Sequence, residues 1–368
     1  LTVANVGDIN VLGDVVFAGT TCALSPNFVC YGDWTGHPAY APSGAGDVTF
    51  AGTAPQTASG AVVFPNLIVA PGAVLVAGAP ATVNGDLTIF GTLDAHAHAI
   101  TVGGDTAVDG TWIVGSPTHA LGGGLKGTGA ITGGGQLDFV GAAAANFEGP
   151  PSIAATARVA KAAGGIVTLG GSLTASALVV ATGTFLVADN ANDVLTLTGD
   201  ALFSGGVLGI ANLGTLVVAG DVVFAGTACA VSPNIAVGGD WVGHPAYAPF
   251  AGGTVTFVAG GPHVLTGTMN FPGLTVPPTV SLVFPGPAHI ALTLTLGGVL
   301  DSTAGSVDAD GAVTIAAGGI WNCGALSNTV AGALTGAGAI NGTGPLVLDG
   351  AVGFSWNCPT VYGGPILV

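Results

Sequence analysis

The 368-residue chain contains 6% charged residues and has a formal net charge of −16, and its three cationic residues are Lys126, Arg158 and Lys161. Nucleic-acid binding needs several Lys or Arg side chains to neutralise phosphates, so this composition argues against a nucleic-acid partner and, equally, against an anionic membrane surface. The 65 Gly and 22 Pro residues predict many turns, and the 49% hydrophobic residues are sufficient for a core.

The most apolar segment, residues 61–83, is interrupted by Pro65, Pro71 and Pro80 and by two glycines. A helix that spans a bilayer needs about 20 uninterrupted apolar residues. We therefore interpret this segment as a series of short strands and expect no membrane insertion.

A long internal repeat dominates the sequence. Residues 13–50 align with residues 220–257 at a constant offset of 207, and 27 of the 38 aligned positions are identical. The match continues on both sides, so the sequence predicts two tandem copies, residues 1–207 and a shorter copy at residues 208–368.

Each copy also contains a shorter repeat. The pentapeptide "GDLTI" at residues 85–89 is followed 19 residues later by "GDTAV" at residues 104–108. Short β-branched runs alternate with Gly, Asn or Asp turns, and no segment has helical spacing. A coil of about 19 to 20 residues cannot bury its own inward face and must stack on its neighbours. The sequence thus predicts an all-β fold, a parallel β-helix (β-solenoid) with tandem internal duplication, arranged as a rod of about 18 coils.

Stacked coils also account for the low charge. A charged position that recurred in every coil would form a ladder of like charges, which is destabilising for directly opposed pairs. Thr, Ser, Asn and Gly avoid that cost, and Gly also permits tight corners.

Four segments carry a family resemblance: "GDVTFAGTAPQTASG" at residues 46–60, followed by "VFPNLIVAPGAVLVAG", "VNGDLTIFGTLDAHAHAITVGGD" and "GAITGGGQL". They resemble the Gly-rich β-strand repeats of large bacterial surface proteins, which are similar to autotransporter passengers and filamentous haemagglutinin-type parallel β-helices. The resemblance implies an adhesin, surface-layer or fibre component that lies outside the cell. Similar fibrous repeats also occur on viral particles.

The most distinctive motif is "GDWTGHPAYAP" at residues 32–42, which returns as "GDWVGHPAYAP" at residues 239–249. As a binding site, its aromatic, imidazole and carboxylate groups would form a patch on which sugars stack. As architecture, its aromatic residues would cover an open flank of the solenoid while the prolines fix a loop, and we favour this interpretation. The candidate ligand-binding residues are Asp33, Trp34, His37, Tyr40, Asp240, Trp241, His244 and Tyr247.

The segment "DAHAHAI" is the best candidate for a metal site. On a strand, Asp94, His96 and His98 would point to one face at a spacing that Zn²⁺ or Cu²⁺ could use. The second copy retains Asp301 but has Thr303 and Gly305 in place of the two His residues. A metal role common to both copies is therefore excluded.

Two acidic turns could supply oxygen ligands for calcium, residues 189–193 and residues 308–311. Neither matches an EF-hand loop or the nonapeptide repeats of calcium-binding β-rolls. We expect their side chains to cap the local backbone instead, and we expect no cofactor.

No enzymatic motif is present. Glycoside hydrolysis needs two positioned carboxylates, and Glu148 is the single Glu of the chain. Lys126 aligns with Thr335 and Arg158 with Leu367, so neither candidate base recurs in the second copy. We therefore predict no catalytic residues and no enzyme activity.

The five cysteines leave disulfide formation open. Cys22 and Cys30 are close enough in sequence to bridge one loop, and Cys323 and Cys358 could pair if they stack, which leaves Cys229 unpaired. The second copy has Val237 where the first has Cys30, so a bridge at this loop is not essential. Buried single cysteines are the alternative.

The assembly prediction comes from the two ends of the sequence. Leu1 begins in the same register as Leu208, and the chain finishes on the apolar run "GGPILV". Uncapped solenoid ends expose strand edges that invite pairing, so we expect head-to-tail self-association. The sequence as a whole favours an extracellular or surface-exposed structural subunit of a fibre, filament or coat. The alternative is an adhesin that binds glycans through the duplicated loops.

Overall fold

A computed structural model describes residues 7–19, 21–44, 46–188, 190–258, 260–350, 356–357 and 362–368. Within these ranges every regular element is a β-strand and every assigned strand register is parallel, which confirms the prediction of an all-β parallel β-solenoid. Among the same residues no helix is long and apolar enough to cross a bilayer. Predictions that involve Leu1, Asp189 or Cys358 fall outside the described ranges.

The chain divides into two compact units, residues 1–178 with 182–184 and residues 179–181 with 185–368. These units are defined by how compactly the chain packs, whereas the predicted boundary between residues 207 and 208 is defined by the sequence repeat. The two copies therefore stay a prediction.

The strands of the first unit are Asp8–Val11, Val15–Val16, Cys22–Leu24, Asn27–Cys30, Trp34–Gly36, Tyr40–Gly44, Asp47–Phe50, Gln56–Gly60, Val62–Phe64, Asn66–Val69, Val74–Ala77, Ala81–Val83, Leu87–Ile89, Thr92–Ala95, Ile100–Val102, Thr106–Val108, Thr111–Val114, Thr118–Leu121, Leu125–Lys126, Ala130–Thr132, Gln136–Phe139, Ala145–Phe147, Ser152–Ala160 and Ile166–Leu169. The strands Leu173–Thr182 and Thr184–Val187 contain residues of both units.

The strands of the second unit are Val194–Leu197, Ala201–Phe203, Val207–Ile210, Thr215–Val218, Val222–Phe224, Cys229–Ser232, Asn234–Val237, Trp241–Gly243, Tyr247–Gly252, Thr254–Phe257, Gly261–Gly267, Met269–Phe271, Gly273–Val276, Val280–Val283, Ala288–Ile290, Leu294–Leu296, Val299–Ser302, Val307–Ala309, Val313–Ile315, Ile320–Cys323, Asn328–Val330, Leu334–Gly336, Ala339–Asn341, Leu346–Leu348, Trp356–Asn357 and Ile366–Leu367.

One coil of the first unit shows the arrangement. It contains three strands, Leu87–Ile89, Thr92–Ala95 and Ile100–Val102. Each pairs in parallel with the strand that occupies the same place one coil later, and Leu87 lies opposite Thr106, 19 residues along the chain. This register confirms the coil length that the sequence rhythm predicts.

The core lies inside the coils because the strands alternate buried and partly exposed residues. The strand Leu87–Ile89 buries both of its aliphatic ends and leaves its central Thr outside, and Val167 and Leu169 alternate in the same way. Burying one such aliphatic side chain contributes about 1.5–3 kcal/mol relative to leaving it exposed. Four Trp residues, Trp34, Trp112, Trp241 and Trp321, are the largest fully buried side chains.

A ladder of Asp and Asn side chains links successive turns of the first unit. In each step a side-chain oxygen accepts a hydrogen bond from the residue one coil later, as when Asp86 Oδ1 accepts from Asp105 N at 2.8 Å and Asp105 Oδ1 accepts from Gly124 N at 2.8 Å. The ladder runs through Asp8, Asn27, Asp47, Asn66, Asp86, Asp105 and Gly124. Alternation of Asp with Asn in its first four members separates the carboxylates, as expected where like charges repel.

The described cysteines form no disulfide. Cys22, Cys30, Cys229 and Cys323 are free and buried, and burial raises the pKa of Cys30, Cys229 and Cys323 to about 12. The bridge considered between Cys22 and Cys30 is therefore absent, and these residues pack as small apolar side chains whose thiolates are disfavoured.

Two buried polar side chains stand out in the first unit. Lys161 Nζ donates hydrogen bonds to the carbonyl oxygens of Gly122 at 2.9 Å and Val140 at 2.8 Å. His119 Nδ1 accepts a hydrogen bond from Ile100 N at 3.1 Å, and its Nε2 atom is buried without a partner. In the second copy Asn328 Oδ1 accepts from Val307 N at 2.8 Å in the same place, so the role of His119 is to satisfy a backbone amide.

Burial of His119 predicts a loss of stability in mild acid. Burial lowers the pKa of His119 to about 4 from its ordinary value of 6.5, so between these values the unfolded chain binds a proton that the folded chain does not. The free energy of unfolding then falls by about 1.4 kcal/mol per pH unit as the pH drops through that window. Urea unfolding from pH 7 to pH 4 measures this slope.

The matched variant is His119→Asn, which keeps the acceptor used in the second copy and does not titrate. We expect the variant to lose the part of the slope that His119 supplies. Equal slopes for the variant and the wild type would contradict the assignment.

Candidate functional site

The duplicated motif adopts the same local structure in both copies. The first copy has the strand Trp34–Gly36, a turn, and the strand Tyr40–Gly44; the second has Trp241–Gly243 and Tyr247–Gly252. In each copy the second strand pairs in parallel with an earlier short strand, and Cys22 lies opposite Tyr40 as Cys229 lies opposite Tyr247. The two nearly identical sequences thus specify the same placement of Trp and Tyr in both copies.

Both Trp side chains lie at the centre of aromatic clusters. The ring centroid of Trp34 is 5.1 Å from that of Phe17, 5.4 Å from Tyr40 and 5.4 Å from Phe64. Trp241 repeats these contacts with Phe224, Tyr247 and Phe271 at 5.2, 5.3 and 5.3 Å. Tilted and edge-to-face aromatic pairs at this spacing contribute about 0.5–1.5 kcal/mol beyond area burial, so each motif organises a local core.

The Tyr hydroxyls are held inside the core by a short hydrogen-bonded chain. Tyr40 Oη lies 2.8 Å from Ser25 Oγ, which itself donates to Pro26 O at 2.9 Å. Because Ser25 has one hydroxyl proton, Tyr40 is the donor of the first bond. Ser232 and Tyr247 reproduce the pair at 3.0 Å, and burial raises the pKa of Tyr40 to about 12.

The polar residues of the motif satisfy backbone groups. Asp33 Oδ1 accepts a hydrogen bond from Thr57 N at 2.7 Å, and Asp240 Oδ1 accepts from Val264 N at 2.9 Å. His37 Nδ1 accepts from Ala39 N at 3.1 Å. His244 makes the equivalent bond to Ala246 N, also at 3.1 Å.

The glycine two residues after each Trp is required for steric reasons. A Cβ atom at Gly36 would lie 2.0 Å from Ala61 O, and one at Gly243 would lie 1.8 Å from Thr268 O. No side chain fits at either position, because the next part of the chain passes directly against the backbone.

The structure does not provide the sugar-stacking patch considered for this motif. Trp34, Tyr40, Trp241 and Tyr247 are each 0% exposed. A sugar stacks on an aromatic face, and these faces are covered by other rings. The carboxylates and imidazoles around them cap the backbone, so the geometry favours the architectural interpretation of all eight residues.

The structure also differs from the strand geometry predicted for a metal site at Asp94, His96 and His98. The strand ends at Ala95, and residues 96–98 form a turn in which Asp94 Oδ1 accepts from His96 N at 3.0 Å. The three side chains therefore do not share one face of a strand. In the described part of the chain, the three donor atoms of this segment do not converge into a group that could hold an ion.

The turn at residues 189–193 can be assessed only from residue 190 onward. Asn190 N donates to Asp193 Oδ2 at 3.1 Å, and Asn192 N donates to Asn190 Oδ1 at 3.2 Å. Backbone capping is what the sequence predicts for these residues.

The first unit has a polar groove that sequence analysis did not find. It has a volume of about 360 Å³ and is lined by Asp105, Lys126, Asn146 and Glu148 among others. Asp105 belongs to the turn ladder, and Glu148 Oε1 accepts a hydrogen bond from Asn146 Nδ2 at 2.8 Å. Both carboxylates are therefore engaged in structural hydrogen bonds. The coil period could have indicated this groove, because Asp105 and Gly124 are 19 residues apart and Lys126 follows two residues after Gly124.

Comparison of the chain with protein-family models, with curated proteins and with solved structures found no match.

Removal of Trp34 tests whether the motif is architectural. We expect Trp34→Ala to lower the free energy of unfolding by about 3–5 kcal/mol, because it empties the centre of an aromatic cluster. Urea unfolding followed by circular dichroism measures the change. Thr35→Val is the matched control, because Val242 occupies this exposed position in the second copy, and it should leave stability unchanged. An undiminished stability of Trp34→Ala would refute the packing role.

The capping role of Asp33 gives a separate prediction. Asp33→Ala leaves Thr57 N–H without its acceptor and should lower stability by about 1 kcal/mol, whereas Asp33→Asn retains an acceptor oxygen and should be close to wild type. Hydrogen exchange of the Thr57 amide reports this bond directly and should accelerate in the Ala variant alone. Equal exchange in the Ala and Asn variants would show that the carboxylate does not cap this amide.

Proposed function

We propose that this chain is a non-enzymatic structural subunit of a fibre, filament or coat outside the cytoplasm, at a cell surface or on a virion exterior. The observation that carries the proposal is that the two distinctive motifs are used for packing. Their aromatic rings are buried and their carboxylates cap the next coil.

The acidic residues of the turns support the same function. Asp14 Oδ1 accepts a hydrogen bond from Asp33 N at 2.8 Å, and Asp221 Oδ1 accepts one from Asp240 N at 2.8 Å, so this contact between successive coils is duplicated. Side chains that connect one coil to the next stabilise a stacked assembly. The adhesin alternative has no support from the aromatic rings, because none of the four presents an exposed face.

Self-association through strand edges is the second part of the proposal. In the described part of the chain, Asp8–Val11 pairs on one side with Asn27–Cys30, and Ile366–Leu367 pairs on one side with Leu346–Leu348. Unpaired edges offer backbone donors and acceptors to another strand. Apolar side chains at these edges, such as Leu367 at 52% exposure, add area that a stacked neighbour would bury. A heterologous contact of this kind produces open filaments when it does not close.

Electron microscopy and light scattering of the purified chain test the assembly. We expect filaments at high protein concentration, and we expect Ile9→Lys and Leu367→Lys to shorten or abolish them because each places a charge at a pairing edge. The average particle mass measured by light scattering should fall with dilution as the assemblies dissociate.

The control is Leu202→Lys, which changes an exposed apolar residue of the strand Ala201–Phe203 away from both edges. It should assemble as the wild type does. A wild-type chain that stays monomeric at every concentration would refute the proposed assembly.

A further inference from the structure

Three metal-ligating side chains converge in the second unit. His289 lies on the strand Ala288–Ile290 and is in register with Asp308 on the strand Val307–Ala309, and Asp310 follows that strand. The imidazole and carboxylate ligand atoms all lie within 4.8 Å of one another. His289 Nε2 is 3.0 Å from Asp310 Oδ2. Two neighbouring coils thus bring one nitrogen and two carboxylate ligands together on an outer face.

These carboxylates differ from the turn carboxylates elsewhere in the chain. Asp86, Asp105 and Asp240 each accept a hydrogen bond from a backbone amide. The Asp310 carboxylate contacts His289 alone, and the Asp308 carboxylate makes no hydrogen bond or ion pair within the described residues. The capping role predicted for the turn at residues 308–311 is therefore wrong, because neither carboxylate reaches a backbone amide.

A simple ion pair does not account for the cluster. It would explain the contact between His289 and Asp310, but among the described residues it leaves the Asp308 carboxylate outside any ion pair and within 4.8 Å of a second carboxylate. Two adjacent carboxylates repel each other. A divalent cation bound between them would remove that repulsion and use the imidazole nitrogen as a third ligand.

We propose that His289, Asp308 and Asp310 bind a divalent transition-metal ion of the Zn²⁺ class. A mixed set of one imidazole and two carboxylates suits Zn²⁺ better than Ca²⁺ or Mg²⁺, which take oxygen ligands. Three protein ligands leave coordination positions for water or an external donor.

A neighbouring cavity supplies the room for such a donor. It has a volume of about 240 Å³, and His289 and Asp310 are part of its lining together with Pro249, Phe250 and Asn270. Phe250 is 68% exposed and follows the duplicated motif of the second copy, where the first copy has Ser43. The site therefore combines a polar cluster with an exposed aromatic ring, and it is independent of the proposed assembly at the strand edges.

The first copy provides a natural reference that lacks the ligands. Thr82 lies in register with Thr101 in the first copy, as His289 lies in register with Asp308 in the second. Gly103 occupies the position of Asp310 at the same offset of 207 residues. The same strand pairing thus forms without the three ligand residues, so this pairing does not require their identity.

Isothermal titration calorimetry of the full chain with Zn²⁺ tests the proposal. We expect one site per chain that is weakened at least about tenfold by Asp308→Asn, given that even a partner of a metal ligand contributes about 10–100-fold in affinity. The triple variant His289→Thr, Asp308→Thr and Asp310→Gly copies the first repeat and should abolish this site while its circular dichroism spectrum stays unchanged.

The paired variant His96→Ala and His98→Ala is the control, because that turn does not gather its side chains. It should bind Zn²⁺ as the wild type does. A wild-type chain that takes up no Zn²⁺, binding that survives in the triple variant, or binding lost in the control would each overturn the proposal. None of these results bears on filament formation, which is measured without metal.

Discussion

Hydrogen bonds between one coil and the next determine how the strands of this fold are arranged. A single coil of about 19 residues cannot enclose a core, so each strand must pair with its counterpart one coil away. The strand Leu87–Ile89 shows the result, since it lies between Asn66–Val69 and Thr106–Val108 in continuous register. Every other feature of the sequence has to be compatible with this repeat.

The turn residues follow from that constraint. Where strands end, the backbone amides of the turn have no strand partner, and buried or half-buried amides are costly to leave unbonded. Asp and Asn side chains of the preceding coil supply the missing acceptors, as Asn66 does for Asp86 at 2.9 Å. The acidic composition therefore has a structural source in the turns, and it does not by itself indicate an ionic ligand.

The two copies show which residues the fold requires and which it tolerates. Phe17, Trp34 and Tyr40 recur as Phe224, Trp241 and Tyr247 with nearly the same ring separations. Phe28 becomes Ile235, and Cys30 becomes Val237, while both positions remain buried. The fold fixes the centre of each aromatic cluster and accepts other apolar side chains around it, as expected for cores that keep volume and pattern.

The fold could be predicted from the sequence because the repeat of about 19 residues is visible in it. The positions of side chains at candidate sites could not be predicted in the same way. At "DAHAHAI" the alternation of residues predicted a strand, whereas the coil register places a turn there: Ala95 pairs with Val114, and Gly115 lies against the His96 backbone. Alignment of successive coils, which have "GSP" at residues 115–117, would have indicated the turn. Local alternation alone could not, because a period of two does not reveal where a strand stops.

The same reasoning explains why the sequence did not predict that His289 joins Asp308 and Asp310 in one cluster. His289 and Asp308 are 19 residues apart, and no local motif connects them. Their proximity follows only when the strand register is known, because in a parallel solenoid the spatial neighbour of a residue is one coil away. Side chains that form a common site in such a fold are therefore separated in sequence by about one coil length. A residue that departs from its counterpart in the duplicate copy, at a position where the backbone is unchanged, is the most informative place to look for a role beyond stacking.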